Sequence, residues 1–341
     1  MTSVALDRLL AVLVVAMAAT GLLTLRAGTP DVGWLFTLHG VLAGSLLVTV
    51  LVKVRRSAPK AAGMRRWGRL VLGLLVALLV SGSMVAGYAW VASGDMLAIG
   101  LPAIGSVTVL TLHVWIGLVL FPILVLHLLP RRWRLLRPGR RLADGALARL
   151  ITRRSVLAGL GLLAVGTATF AGAELLGRWR GGVRRFTGSR WLPAGALPPS
   201  TTFFGEPTPT VDLDRWRLRV TGRVTRPMEF ALADLTALGE RDLRATLDCT
   251  SGWALDATWR GVPLESVLAR AGVDPRATTV EVLSVTGWMS SFPIGEIAGL
   301  LVATGVAGRE LPAGNGAPCR LVAPSRRGLD WVKWIDEVRM T

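Results

Sequence analysis

The apolar positions in the first half of the chain form long runs, whereas in the second half they alternate over short distances. Five runs of roughly 17–23 residues are each long enough for one helix to cross ~30 Å of hydrocarbon at 1.5 Å per residue. They cover residues 9–25, 35–52, 70–91, 107–129 and 156–176. The pattern therefore predicts a membrane α-helical bundle of five transmembrane helices in residues 1–177.

Beyond residue 177 the pattern becomes that of a globular α+β domain. Residues 178–199 are rich in Arg, Gly and Pro and are predicted to be a linker. Within 200–341, period-two alternation and short apolar runs predict strands at 216–220, 280–285 and 319–323, and helical spacing predicts short helices at 230–235 and 263–270. The predicted organisation is a membrane domain, a linker and one domain of mixed class.

The charge is concentrated in the connections between apolar runs. Mean hydropathy is +0.51 and formal net charge is +17. Lys53–Arg69 holds seven basic residues and no acid, and Arg131–Arg154 holds nine basic residues and one acid. Positive charge in short loops marks the cytoplasmic side of a membrane, whereas a nucleic-acid-binding protein needs it on a folded face. The prediction is a multi-pass protein of the cell membrane, in contact with lipid and not with nucleic acid, whose residues after 176 lie outside the cytoplasm.

The start of the fifth run resembles a twin-arginine export signal. Arg153 and Arg154 precede a moderately apolar run rich in Gly and Ala. The alternative is a pair of ordinary cytoplasmic-side arginines. Ala171-Gly-Ala173 is similar to a cleavage site, so release of the following domain stays open.

Three motifs in the C-terminal domain carry candidate chemistry. A lone Cys249 ends an apolar run in Leu247-Asp-Cys-Thr-Ser-Gly-Trp253, and Asn315-Gly-Ala-Pro-Cys-Arg320 and Gly328 to Lys333 follow. At these residues the chain resembles the sulfite-oxidase-type molybdopterin family, most closely members similar to the periplasmic methionine sulfoxide reductase catalytic subunit. The resemblance covers residues 201–338. It implies the fold of that family, a molybdenum–molybdopterin cofactor, and Cys249 as both catalytic residue and molybdenum ligand.

The resemblance also implies a set of cofactor contacts. These are Thr201, Phe204, Ser284, Asn315, Arg320, Trp331, Val332 and Lys333. The chemistry agrees, because a thiolate suits a soft metal site and a pterin phosphate needs cationic donors such as those of Arg320 and Lys333. Cys319 is predicted to be a core residue. Sulfite oxidases have an Arg-rich turn near the ligand cysteine and an active-site tyrosine. Here the Thr250–Trp253 turn is not Arg-rich, and Tyr88, in an apolar run, is the only tyrosine. Both departures argue against sulfite as substrate.

All three histidines lie in apolar runs, where an ionisable side chain indicates function. His39 and His113 are predicted to lie near the outer face and could be the two axial ligands of one b-type haem. His127 falls on the same helix face as His113, ~21 Å deeper at 1.5 Å per residue. The alternative is polar side chains that bond between helices.

Three functions compete. The first is a molybdenum-cofactor oxidoreductase that transfers an oxygen atom, with two electrons, to or from a small-molecule substrate and exchanges electrons through the membrane domain with a quinone or redox protein. The second is a membrane b-type cytochrome whose exported domain is non-catalytic. The third is a binding or sensor module without cofactor. The complete ligand cysteine and the two cations favour the first.

Overall fold

The structure, a computed structural model, describes residues 3–63, 67–101, 105–132, 153–201 and 206–341. It divides into two compact units. The first comprises Met1–Thr24 and Gly33–Val183, and the second comprises Leu25–Val32 and Arg184–Thr341. Because the second unit begins at Arg184, it takes in most of the segment predicted to be a linker.

The first unit is built from long helices. They are α1 (Ser3–Thr24), α2 (Gly33–Gly63), α3 (Trp67–Ala92), α4 (Val109–Arg132) and α5 (Arg153–Trp179), with a hairpin of β1 (Ala98–Leu101) and β2 (Gly105–Thr108) between α3 and α4. Four helical stretches are long and apolar enough to cross a membrane: Leu6–Thr24, Pro30–Lys60, Leu70–Ala92 and Val156–Trp179. In α4 the described apolar stretch is the shorter Val109–Leu124. Helix α2 outlasts its apolar run because the Lys, Arg and Ala residues after Val52 are good helix formers.

Helix α2 is the centre of this unit. It packs against α1, α3 and α5, and α3 also packs against α4 and α5. Small residues allow the closest approach, since a Cβ added to Gly44 would lie 2.9 Å from the Cα of Gly166. Ser45 Oγ donates to the carbonyl of Leu162 across the same contact at 3.0 Å. Large apolar side chains such as Val12 and Leu78 are exposed on the surface of these helices.

The second unit contains two sheets with short helices. Its strands are β3 (Arg190–Trp191), β4 (Leu218–Gly222), β5 (Met228–Phe230), β6 (Arg241–Asp248), β7 (Trp253–Pro263), β8 (Thr279–Ser284), β9 (Met289–Pro293), β10 (Leu301–Val306), β11 (Arg309–Glu310), β12 (Arg320–Val322) and β13 (Ile335–Met340). Its helices are α6 (Leu232–Thr236) and α7 (Leu264–Ala271). The domain is thus α+β, and its buried apolar residues form one continuous core.

The first sheet has the order β11-β10-β7-β3, with β12 also paired to β10 and β6 paired to β7. Strands β6 and β7 form a long antiparallel hairpin that pairs Arg241 with Gly261 at one end and Asp248 with Ala254 at the other. The closed end of this hairpin carries Cys249. Strand β3 runs parallel to the start of β7.

The second sheet has the order β5-β4-β13-β8-β9. Its central strand is β13, which runs parallel to β4 and antiparallel to β8. Strand β13 therefore links the β5-β4 pair to the β8-β9 pair, and its Ile335 and Val338 side chains are buried in the core.

Two local predictions differ from the structure in instructive ways. Residues 230–235 were expected to form one helix, but Phe230 belongs to β5, opposite Leu218, and α6 starts only at Leu232. The segment 178–199 was expected to be a linker, but α5 extends to Trp179 and β3 pairs with β7. In both places tertiary pairing overrides the local composition.

Candidate functional site

Cys249 lies in the tight turn that closes the β6–β7 hairpin. Its N–H donates to the carbonyl of Trp253 at 2.8 Å, and its carbonyl accepts from the N–H of Gly252 at 2.9 Å. Gly252 has φ +97°, a conformation that favours glycine. The turn holds the thiol half-buried, and neither Cys249 nor Cys319 forms a disulfide.

The thiol faces a cavity of about 280 Å³. The cavity is lined by Thr201, Glu206, Cys249, Thr250, Ser284, Trp288, Gly328, Leu329, Trp331, Lys333 and Trp334. Thr201 Oγ1 and the N–H of Ser251 each lie 3.5 Å from the sulfur. Polar groups at this distance suit a sulfur that carries negative charge.

Lys333 brings a cation to the same cavity. Its Nζ donates to the carbonyls of Thr201 and Gly314 at 2.9 and 2.8 Å, which uses two of the three donors of an ammonium group. Burial, and then the neighbouring guanidinium of Arg320, lower the pKa of Lys333 to about 8. An anion bound here would restore the favourable environment that burial removes.

Arg320 is a second cation, placed behind the cavity wall. It is 2% exposed, and its NH1 and NH2 donate to the carbonyls of Asn315 and Trp331, each at 3.1 Å. Its guanidinium lies 5.2 Å from the ring of Trp259 and 5.7 Å from that of Trp331. Burial lowers the pKa of Arg320 to about 10.

The environment of Arg320 suits a bound anion. Its buried Nε has no hydrogen-bond partner among the described residues, and no carboxylate of those residues is among the groups that shift its pKa. A buried charge without a counter-charge is costly, so natural proteins pair it. Together with Lys333, this cation meets the requirement of a phosphate-bearing cofactor beside the Cys249 thiol.

The remaining predicted residues divide into three groups. Ser284 and Trp331 line the cavity with Cys249, Thr201 and Lys333. Asn315 and Val332 are buried beside it, where the Asn315 side chain donates to the carbonyl of Pro198 at 2.8 Å and the Val332 carbonyl accepts from Leu321 at 2.7 Å. Phe204 lies outside the described residues.

Sequence reasoning missed the polar network beneath the thiol. Asp248, directly before Cys249, is fully buried and accepts hydrogen bonds from Arg185, Thr187 and Ser189 at 2.6–2.7 Å. Arg327 is only 4% exposed and reaches both Asp248 and the Cys249 carbonyl. An acidic residue ending an apolar strand was the only sequence signal for this network.

The helical unit holds a second candidate site. The rings of His39 and His113 lie 6.0 Å apart between centroids, with their planes at 84°. His113 Nδ1 lies 2.8 Å from the Ser83 carbonyl, which can only accept, so Nδ1 carries the proton. His39 Nδ1 lies 2.8 Å from the hydroxyl of Thr20, which itself donates to the Ala16 carbonyl at 2.8 Å, so Nδ1 of His39 is also the donor.

This tautomer assignment leaves a lone pair on Nε2 of both histidines. Both Nε2 atoms could therefore bind a metal ion. The side chain of His127 lies outside the described residues. Among described side chains, no cluster of three or more His, Cys, Asp or Glu could hold a metal ion.

Comparison with known proteins defines the class of the C-terminal unit. Residues 205–341 match the family described as "Oxidoreductase molybdopterin binding domain". This stretch contains Cys249, Arg320 and Lys333, the three groups that face or flank the cavity. The C-terminal unit is therefore a molybdopterin-binding oxidoreductase domain, as the sequence motifs predicted.

Individual relatives match the same part of the chain. The protein-methionine-sulfoxide reductase catalytic subunit MsrP of Gluconobacter oxydans is 32% identical over 147 residues, which is 37% of this chain and 46% of the relative. The uncharacterized oxidoreductase YuiH of Bacillus subtilis is 28% identical over 159 residues, 43% of this chain and 80% of the relative. The crystal structure of the sulfane dehydrogenase SoxCD from Paracoccus pantotrophus aligns with 25% identity and a TM-score of 0.38 over 39% of this chain and 40% of that one. The chain spans about half the length of the MsrP relatives.

Proposed function

We propose that this chain is a membrane-anchored molybdopterin-dependent oxidoreductase that acts on a small substrate outside the cytoplasm. When bound, the molybdenum cofactor supplies two-electron oxygen-atom transfer. One observation carries the proposal: the thiol of Cys249, which is in no disulfide, opens into a 280 Å³ cavity that also contains Lys333. Behind this cavity lies the buried guanidinium of Arg320, whose Nε has no partner among the described residues.

The residues of the chain have distinct roles in this proposal. Cys249 provides the thiolate for the metal, and its turn fixes where that sulfur lies. Lys333 and Arg320 hold the phosphate end of the pterin, since each has a donor left after its contacts to backbone carbonyls. Thr201, Ser284, Asn315, Trp331 and Val332 form the walls around the pterin. Phe204 is assigned to the same cofactor on the family resemblance.

We expect the substrate to be chemically similar to the one for which the relatives are named. The MsrP proteins are named for reduction of methionine sulfoxide in proteins, so methionine sulfoxide is the first substrate to test here. The cavity lining contains uncharged polar and aromatic side chains beside Glu206 and Lys333, which suits a neutral sulfoxide. Thr250 and Trp288, at the cavity wall next to the thiol, are the side chains we expect to contact it.

The helical unit serves as anchor and electron route in the same proposal. Five helices cross the membrane, with both basic connections in the cytoplasm and the molybdopterin domain outside. Four helical stretches of sufficient length and apolarity support this arrangement, and α4 supplies the fifth. The Arg153–Arg154 pair acts as a twin-arginine signal, which suits a domain that must fold around its cofactor before export.

His39 and His113 would hold one b-type haem, which when bound would supply one-electron transfer to or from the molybdopterin domain. The 6.0 Å separation of the rings and the two protonated Nδ1 atoms support this assignment. Hydrogen bonds from Nδ1 orient a ligating imidazole and raise its basicity, as Thr20 and the Ser83 carbonyl would do here. A quinone or a redox protein is the external partner.

Metal analysis and a haem spectrum of the purified full chain test the whole proposal. We expect one molybdenum and one low-spin haem per chain. Cys249→Ser should abolish methionine sulfoxide reduction and change the molybdenum spectrum, whereas Cys319→Ser, in the core, should retain both. Haem without molybdenum would instead establish the cytochrome with a non-catalytic domain, and neither cofactor would establish a sensor or binding module.

A further inference from the structure

The carboxylate of Asp248 is fully buried and accepts hydrogen bonds from two segments of the chain. From the segment before β3 it receives Arg185 NH1 at 2.6 Å, Thr187 Oγ1 at 2.7 Å and Ser189 Oγ at 2.6 Å. From the segment before β13 it receives Arg327 NH2 at 3.4 Å, and the same NH2 lies 3.5 Å from Ser189 Oγ. Such a network gains little stability over an apolar packing of the same volume, so its placement calls for another explanation.

The network is connected to Cys249 through its backbone. Arg327 NH2 lies 3.5 Å from the Cys249 carbonyl as well as 3.4 Å from Asp248 Oδ1. The next residue, Gly328, packs directly on the turn, because a Cβ added there would lie 3.1 Å from the Cα of Cys249 and 3.2 Å from the carbonyl of Asp248. Asp248 therefore fixes the guanidinium of Arg327, and Arg327 and Gly328 in turn contact the turn that carries the Cys249 thiol.

The network also sets the charge beneath the sulfur. Asp248 is one negative charge held between the guanidiniums of Arg185 and Arg327. In a buried environment these charges are weakly screened, so neutralising the carboxylate makes the electrostatic potential near Cys249 more positive. Added positive potential stabilises a reduced metal centre over an oxidised one.

We propose that Asp248 is a positioning residue for the cofactor site: it orients the Cys249 turn through Arg327 and lowers the reduction potential of the metal that Cys249 binds. This inference rests on the proposed function, because it takes Cys249 as the molybdenum ligand. It assigns a role to a residue that contacts neither the cavity nor the substrate.

The test compares Asp248→Asn with Asp256→Asn in the full-length holoprotein. Asp256 lies on the same hairpin but pairs with Arg244 at the exposed surface, so it controls for loss of a carboxylate. We expect Asp248→Asn to raise the molybdenum midpoint potential, to alter the Mo(V) EPR signal, and to lower activity or metal affinity by about 10- to 100-fold, the usual effect of losing a group that supports a metal ligand. Asp256→Asn should match the wild type.

A second measurement applies if Asp248→Asn does not fold. Ser189→Ala removes a hydroxyl that donates to Asp248 and accepts from Arg327 NH2, but it keeps every charge, so we expect it to leave the potential near the wild-type value. In the cofactor-free protein it should speed alkylation of Cys249 by iodoacetamide, because the turn is less restrained. A wild-type potential and EPR signal in Asp248→Asn, or an unchanged alkylation rate in Ser189→Ala, would overturn the positioning role. Retention of the molybdenum spectrum by Cys249→Ser would instead refute the proposed function.

Discussion

The proposed contact of Lys333 with the pterin phosphate should make cofactor affinity depend on pH. Its pKa is about 8 in the cofactor-free domain because burial disfavours the ammonium. With that pKa the charged fraction falls from about nine-tenths at pH 7 to about one-tenth at pH 9, so affinity for a dianionic phosphate should fall by roughly tenfold. The phosphate contributes little to this change, since its second pKa is about 6.

Metal-free molybdopterin and the cofactor-free full chain form the assay, with binding followed by tryptophan fluorescence between pH 7 and 9. Using the metal-free pterin removes any contribution from the Mo–S bond. Lys333→Arg is the matched control, because a guanidinium stays charged throughout this range and should give a flat profile. Equal slopes for the wild type and Lys333→Arg would refute the reasoning.

Unfolding is not a competing explanation for this loss of affinity. Folding depresses the pKa of Lys333 from its ordinary 10.5, so the charged form is the one that folding disfavours. By linkage, this residue makes the cofactor-free domain more stable as the pH rises from about 8 toward 10.5. Affinity and this part of the stability therefore change in opposite directions, and thermal unfolding at each pH separates them.

Three further predictions concern the packing around the site. Gly316→Ala should lower the free energy of unfolding by at least ~1–2 kcal/mol from its positive φ alone. In urea unfolding it should lose more than Gly308→Ala, because both glycines have positive φ but only a Cβ at Gly316 would crowd Arg320 and Lys333; equal losses would contradict the crowding. Trp259→Ala should cost about 3–5 kcal/mol in the same assay, since its fully buried ring packs on Trp331, and a loss below 1 kcal/mol would refute this. Iodoacetamide should label one thiol in the native cofactor-free chain, Cys249, because burial strongly raises the pKa of Cys319, and mass spectrometry that finds Cys319 labelled first would contradict the assignment.

Much of the fold could be predicted from hydrophobic patterning. The helices α1, α3 and α5 begin and end within a few residues of the apolar runs, because long runs dictate helix length. The pattern failed where distant pairing decides the local structure. The sequence around Phe230 is compatible with a helix. Phe230 nevertheless pairs with Leu218 of β4, which lies earlier in the chain.

The site was predictable where chemistry is carried by side-chain type and not where it is carried by burial. Cys249 and Lys333 were identified from motifs and Ser284 from the family resemblance, and all three line one cavity, although their roles at the cofactor stay predictions. Asp248 and Arg327 were overlooked, because an Asp and an Arg in an arginine-rich sequence usually lie on the surface. Only the tertiary contact between 185–189 and the end of β6 shows that both are buried.

The position of β13 at the centre of its sheet constrains the order of events during biosynthesis. The arginine pair at 153–154 leaves the ribosome well before residues 335–340. The sheet cannot form until then, because β13 is the strand that lies between β4 and β8 and pairs with both. If export accepts only folded domains, the proposed signal cannot be used until translation of this strand is finished. Under the proposed topology, deleting 335–340 should leave a precursor whose C-terminal domain is not exported.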